Sequence, residues 1–190
     1  WTYIAADESI YRFDANGRWL SLEQAGRVTT LSYSDSATPP SIAPKPGLLI
    51  RVTDSQGRYL DLRYDAASYL TQVTDSAGGT LSYRYAMQQI ANLPPANTGL
   101  LRFVDHPGRT TREYLYDEVS HVAAGIPYTE LLTGIVDEMG QRYATYEYDS
   151  GGRAWKEWHG TNADLLTLTY HNGTYNNATS RTEMVSALGQ

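Results

Sequence analysis

Cysteine is absent from the 190 residues. This excludes disulfides, thiolate metal sites and cysteine nucleophiles, and is compatible with a reducing or an oxidising compartment. Phenylalanine is scarce, with two residues against sixteen tyrosines and four tryptophans, so a thick oily core is not expected. Tyrosine suits a strand whose ring covers a sheet surface while its hydroxyl reaches water, and the composition points to thin, half-exposed sheets. No apolar stretch approaches the about 20 residues that span a bilayer. Although the net charge is −6, no run of like charges appears, so neither nucleic acid nor an anionic membrane is expected as a partner. The chain opens on Trp1 without a basic segment leading into an apolar one. It reads as an excerpt of a longer polypeptide whose address signal lies elsewhere.

What is present is a repeat. An aromatic pair followed by aspartate recurs at Tyr11-Arg-Phe13-Asp14, Tyr114-Leu-Tyr116-Asp117 and Tyr146-Glu-Tyr148-Asp149, with Leu62-Arg-Tyr64-Asp65 as a variant. A Gly-Arg step recurs at Gly17-Arg18, Gly26-Arg27, Gly57-Arg58, Gly108-Arg109 and Gly152-Arg153, and Gly140-Gln-Arg142 and Gly78-Gly79 occupy similar places. A Val-x-Asp lead-in precedes Asp54 and Asp75. Where no insertion intervenes the aspartates stand about ten to twelve residues apart, the spacing of short strands in an all-β meander.

The turns share one formula, Asp14-Ala-Asn-Gly17, repeated at Asp54 to Gly57, Asp105 to Gly108, Asp137 to Gly140 and Asp149 to Gly152. The carboxylate bonds backbone N–H groups ahead of it and the glycine takes positive φ, as in a type I turn closed by a glycine bulge. Strands alternate accordingly, with Leu60, Leu62 and Tyr64 on one face and Tyr59, Asp61 and Arg63 on the other. The expected fold is all-β: an antiparallel, strongly twisted meander of about ten or more short strands, one region over 1–190. Insertions interrupt it near 34–47, 88–99 and 119–128. The first holds Pro39, Pro40, Pro44 and Pro46 and cannot supply ladder hydrogen bonds. Tyr85 to Ala91 has room for at most a turn or two of helix.

These residues resemble the Rhs/YD-repeat family, most densely in the run Tyr114-Leu-Tyr116-Asp117 and from Leu131 through Gly152-Arg153-Ala154. The resemblance implies that hairpins pair side by side into one long sheet spiralling into a hollow shell, which commonly encloses a C-terminal toxin domain. It further implies export from a Gram-negative bacterium by type VI secretion or another route, to a secreted or cell-surface location. The implied partners are adjacent repeats, the toxin cargo and secretion-apparatus proteins. The family's self-cleaving segment carries an Asp-Pro-x-Gly-Leu type motif; no Asp-Pro dipeptide occurs here, so neither self-cleavage nor toxicity carries over to these residues. The final Val185-Ser-Ala-Leu-Gly189 looks like the lead-in to another repeat.

No catalytic, cofactor-binding or metal-binding residue is expected. His106, His121, His159 and His171 form no ligand pair at strand or helix spacing, and the turn formula accounts for Asp14, Asp54, Asp105, Asp137 and Asp149. Nucleophile elbows and phosphate-binding loops are absent. Tyr64, Tyr83, Tyr85, Tyr114, Tyr116, Tyr146 and Tyr148 are read as a cross-strand ladder of stacked rings. The alternative is a ligand platform on which aromatic rings hold a sugar, and its best candidate surface is Trp155 with Trp158. Asn172-Gly-Thr174 and Asn177-Ala-Thr179 match the glycosylation sequon. Three readings of function follow: a structural wall segment of a toxin-enclosing shell, a carbohydrate- or protein-binding module, and, least favoured, an enzyme. Unpaired sheet edges invite self-association.

Overall fold

The computed structural model is all-β and describes residues 1–88, 96–108, 110–125, 130–161, 163–171 and 181–186. Its strands are β1 (Thr2–Ile4), β2 (Ile10–Phe13), β3 (Trp19–Gln24), β4 (Arg27–Tyr33), β5 (Leu49–Thr53), β6 (Tyr59–Tyr64), β7 (Leu70–Asp75) and β8 (Thr80–Gln88). They continue as β9 (Ala96–Asp105), β10 (Thr111–Tyr116), β11 (Leu132–Val136), β12 (Arg142–Tyr148), β13 (Ala154–His159), β14 (Ala163–His171) and β15 (Arg181–Ser186). The fifteen strands form an antiparallel meander whose order in the sheet is their order in the sequence. The chain divides into two compact units, Trp1–Gly99 with Asp105–Gly108, and Leu100–Val104 with Arg109–Gln190. Tyr85, placed by sequence where a helical turn had room, instead continues β8. The sequons at Asn172 and Asn177, and residues 187–190, lie outside the described residues.

Asp14 shows how a corner is built. Its Oδ1 accepts from the N–H of Asn16 at 2.8 Å and of Arg18 at 2.9 Å. Its own N–H donates to the Arg18 carbonyl at 2.9 Å, and the Gly17 N–H donates to the Asp14 carbonyl at 3.2 Å. One side chain thus satisfies two backbone donors that the reversal removes from the ladder. The same four bonds recur at Asp54, Asp65, Asp75, Asp137 and Asp149. The fourth residue of each corner takes positive φ, from 71° at Gly152 to 92° at Gly78, and the Asp65 corner manages it with Ser68 at 73°. Arg18, Arg58 and Arg153 fold back so that Nε donates to the same aspartate's Oδ2 at 2.7, 2.7 and 2.9 Å. This is why arginine follows glycine.

Asp105 to Gly108 departs from the formula. Pro107 stands where the corner needs an N–H and has none to give, and Gly108 lies outside the left-handed region. The Asp105 carboxylate instead accepts from Arg84 Nε and Nη2 at 2.7 and 3.0 Å.

A bulge accompanies the tyrosine that ends alternate strands. Tyr33 faces Leu49, Tyr64 faces Leu70, Tyr116 faces Leu132 and Tyr148 faces Ala154, each beside a register shift. Ile50, Thr71, Thr133 and Trp155 are the extra residues on the partner strands. The tyrosine hydroxyls reach back to the preceding strand: Tyr33 donates to the Trp19 carbonyl, Tyr64 to Leu49, Tyr85 to Leu70, Tyr116 to Leu101 and Tyr148 to Leu132, all at 2.7–2.9 Å.

The tyrosines therefore sit at matching positions, but their rings do not stack on one another. Of the expected ladder only Tyr85 meets another aromatic ring among the described residues, Tyr69 at 5.1 Å. Recurrence on every second strand separates equivalent rings by about 10 Å, beyond the 4.5–7 Å of an aromatic pair. Hydroxyl-to-carbonyl bonds link them to the sheet instead. The sheet is thin: among the described residues the buried apolar side chains are Ala43, Val104 and Ala144.

Candidate functional site

The repeat is interrupted twice at the same point, and the interruptions are built alike. One connection runs from Tyr33 to Leu49 and the other from Tyr116 to Leu132, equal in length. At the neck of the first, the Ser34 N–H donates to the Leu48 carbonyl at 2.8 Å and the Leu48 N–H returns to Ser34 Oγ at 2.9 Å. At the neck of the second, the Asp117 N–H donates to the Leu131 carbonyl at 3.0 Å and the Leu131 N–H returns to Asp117 Oδ1 at 2.9 Å. The residue before the return has positive φ in both, 91° at Gly47 and 72° at Glu130.

Each insertion then closes back on the sheet beside a bulge. The Tyr64 N–H donates to the Ile42 carbonyl and the Tyr148 N–H to the His121 carbonyl, both at 2.9 Å. Prolines are tolerated in the first insertion because its sheet contact uses a carbonyl, which proline-rich chain still offers. Ser34 and Ala43 are buried there, and Ser34 Oγ donates to the Lys45 carbonyl at 2.8 Å. In the second, Val122 forms a parallel bridge with Tyr148, and 126–129 lie outside the described residues. Of the stretch 88–99, Gln88 ends β8 and Ala96 starts β9, with 89–95 outside the described residues.

Beneath the second insertion lies a charged knot. Arg142 Nη1 and Nη2 donate to Glu118 Oε1 and Oε2 at 2.9 and 2.8 Å, Nη2 also to the Thr133 carbonyl at 2.9 Å, and Nε to Thr145 Oγ1 at 2.7 Å. Thr133 Oγ1 donates to Glu118 Oε2 at 2.8 Å. Thr133, Ala144 and Thr145 beneath it are fully buried. The Arg142 hydrogen bonds hold the Glu118 carboxyl below its ordinary range, against the opposing effect of burial. The guanidinium lies across Gly134, where an added β-carbon would collide with Arg142 Nη2 and Cζ. Sequence reading missed this group. Its signals were a glycine inside a strand and an arginine one place beyond the usual Gly-Arg step.

Trp155 and Trp158 come together at the same insertion. Their spacing would put them on opposite faces of a regular strand, but the extra residue at Trp155 alters the alternation. Lys156 Nζ stands 5.7 Å from the Trp155 ring centre and 4.6 Å from that of Trp158. His121 meets Trp158 edge-on at 5.9 Å, and its Nδ1 lies 3.7 Å from Glu147 Oε1. Trp155, His121, Ser120 and Glu147 line a recess of about 260 Å³. Both indoles are half-buried. His159 touches Tyr143, and His171 Nε2 lies 3.1 Å from Glu183 Oε2. No group of three or more His, Asp or Glu suited to a metal occurs among the described residues, and no helix among them is long and apolar enough to cross a membrane.

Aspartate-cornered hairpins added in sequence order, with carbonyl-capping tyrosines on alternate strands, define a β-hairpin repeat. Residues 47–85, which include the Asp54, Asp65 and Asp75 corners, match the RHS Repeat family model. No curated protein matches it. Among solved structures it is similar to the crystal structures of TcdB2-TccC3-Cdc42 and of TcdB2-TccC3-TEV. Each alignment has 15% identity and a TM-score of 0.29 over 89% of this chain. The chain spans 13% of the length of either.

Proposed function

We propose that this chain is a non-catalytic wall segment of an Rhs-type shell that encloses or presents a toxin domain. The observation that carries the reading is the strict sequence order of the sheet, with one aspartate corner rebuilt at Asp14, Asp54, Asp65, Asp75, Asp137 and Asp149. Such a sheet lengthens by adding hairpins and needs no second layer, the property a one-sheet wall requires. The corner carboxylates at Asp14, Asp54, Asp137 and Asp149 accept from backbone N–H groups, which gives them a structural role in place of an acid–base one. In this reading the partners are adjacent repeats and the toxin cargo, with secretion-apparatus proteins during export. The destination is outside a Gram-negative cell, by type VI secretion or a related route.

The binding-module reading rests on Trp155 and Trp158. A sugar ring needs an open aromatic face, and here Lys156 stands near both indoles while His121 covers the edge of Trp158. This favours the wall over the platform. The test is protease protection in the polypeptide that carries this segment. The domain following the repeats is expected to resist digestion when the segment is intact and to become cleavable when it is deleted. Equal cleavage of that domain in both forms would overturn the proposal.

A further inference from the structure

We propose that Asn16 is a site of spontaneous covalent modification, at which its carboxamide is converted to aspartate and isoaspartate, and that the Asp14 corner sets the rate. Six corners share one set of backbone bonds, and in each the aspartate Oδ1 accepts from the N–H of the third residue. That residue is Asn16, Gln56, Ala67, Ala77, Met139 or Gly151 in turn. Only Asn16 sets a short carboxamide directly before a glycine. (A second Asn-Gly pair, at Asn172, lies outside the described residues.) Asn16 is exposed, and its carboxamide makes no hydrogen bond among the described residues. Gly17 takes φ 81°, and nothing stands within 4 Å of the place of an added β-carbon. No side chain therefore hinders access to its nitrogen.

The Gly17 nitrogen loses its proton and attacks Asn16 Cγ. The new N–Cγ bond closes a five-membered imide, and the Cγ–Nδ2 bond breaks as Nδ2 takes up a proton and leaves as ammonia. Water, the co-reactant, then opens the ring. Breaking N–Cγ leaves aspartate; breaking the original peptide bond leaves isoaspartate, with the main chain routed through Cγ. Carboxamide and water become carboxylate and ammonium, and nothing is oxidised or reduced. The corner restrains the first step. Its nitrogen donates that proton to the Asp14 carbonyl at 3.2 Å, the longest bond of its kind among the six corners. The anion would also form beside the Asp14 carboxylate, whose Oδ1 holds the Asn16 and Arg18 N–H groups. Reaction therefore proceeds from the opened corner. Its products hold the corner open: aspartate sets a second carboxylate beside Asp14, and isoaspartate adds a methylene to the main chain between the two N–H groups. The inference is independent of the wall reading, since it needs the corner alone.

The Asp54 corner supplies the comparison. Gln56 precedes Gly57 within the same bonds, but its longer side chain must close a six-membered ring with one more rotor fixed, so it stays intact. The test is incubation of the 190-residue chain at mildly alkaline pH, followed by peptide mass mapping. Asp-N protease separates the products, since it cuts before aspartate and passes isoaspartate. Conversion is expected at Asn16, with isoaspartate the larger product, and not at Gln56. Asn16→Gln should abolish it, and Gln56→Asn should create a new site in an otherwise unchanged corner. Asp14→Ala should speed conversion about 5–30-fold, the factor by which losing the corner's bonds raises its open population. An Asn16 that keeps its amide while the urea-unfolded chain converts completely would overturn the site. Equal rates in the chain and its Asp14→Ala variant would overturn the control by the corner.

Discussion

An aspartate at a strand end can close a turn because its two oxygens lie within reach of the N–H groups that the reversal leaves unpaired. Replacing Asp137 by alanine removes the acceptor of the Met139 and Gln141 N–H groups and is expected to cost about 1–2 kcal/mol. An asparagine side chain retains the accepting oxygen, so Asp137→Asn should cost clearly less. Chemical denaturation of the two variants checks the ordering; equal losses would mean that charge, not the acceptor, holds the corner. Tyr64→Phe leaves the Leu49 carbonyl without its donor and is expected to cost about 1 kcal/mol.

Most of this chemistry was legible in the sequence at Asp14, Asp54, Asp137 and Asp149. Asp65 and Asp75 were visible as spacing markers but not as full corners, because Ser68 takes a conformation usually left to glycine and Gly79 replaces the usual arginine. Asp105 fitted the pattern in letters only, since the formula says nothing of the missing N–H at Pro107.

At the scale of elements, the two insertions are variations on one device. Gly134 exists inside β11 to let the Arg142 guanidinium lie flat between Glu118 and Thr145. Gly134→Ala is expected to push that side chain off its partners and destabilise the second unit by about 1–3 kcal/mol, with the loss read by thermal unfolding. An unchanged midpoint would show that Arg142 moves aside freely.

The Glu118 carboxyl is held below its ordinary value, 4.5, chiefly by Arg142. Its contribution is therefore present above pH 4.5 and is lost as pH falls below it through the folded-state value. Between about pH 6 and 3 the chain should lose more stability than its Glu118→Gln variant does over the same range, by equilibrium unfolding at each pH. Sequence reading located these insertions through their prolines and broken spacing but could not see their common neck. Ser34 and Asp117 do the same work with different side chains, and Gly47 and Glu130 share one backbone conformation across unlike residues. The pairing of Trp155 with Trp158 was proposed from nearness in sequence and occurs because of a bulge, which no alternation rule discloses.

For the whole molecule, the meander was legible because one turn formula recurs along the chain, and local hairpins leave strand order little choice. The expectation of about ten or more strands is met by fifteen. The outer strands carry exposed apolar side chains, Tyr3 and Ile4 on β1 and Met184 and Val185 on β15, each more than half exposed. Such edges pair with further strands. The isolated chain is expected to associate as concentration rises in sedimentation velocity, and Ile4→Lys with Val185→Lys should shift it toward monomer. A monomer across the whole range would show that these edges are protected.

The wall-segment account is tested most directly by an electron cryomicroscopy reconstruction of the polypeptide that contains this segment. The account predicts that β1 and β15 are each hydrogen-bonded to a further strand of the same sheet and that the sheet surrounds another domain. A reconstruction in which either strand faces solvent, with no domain enclosed or presented, would contradict it.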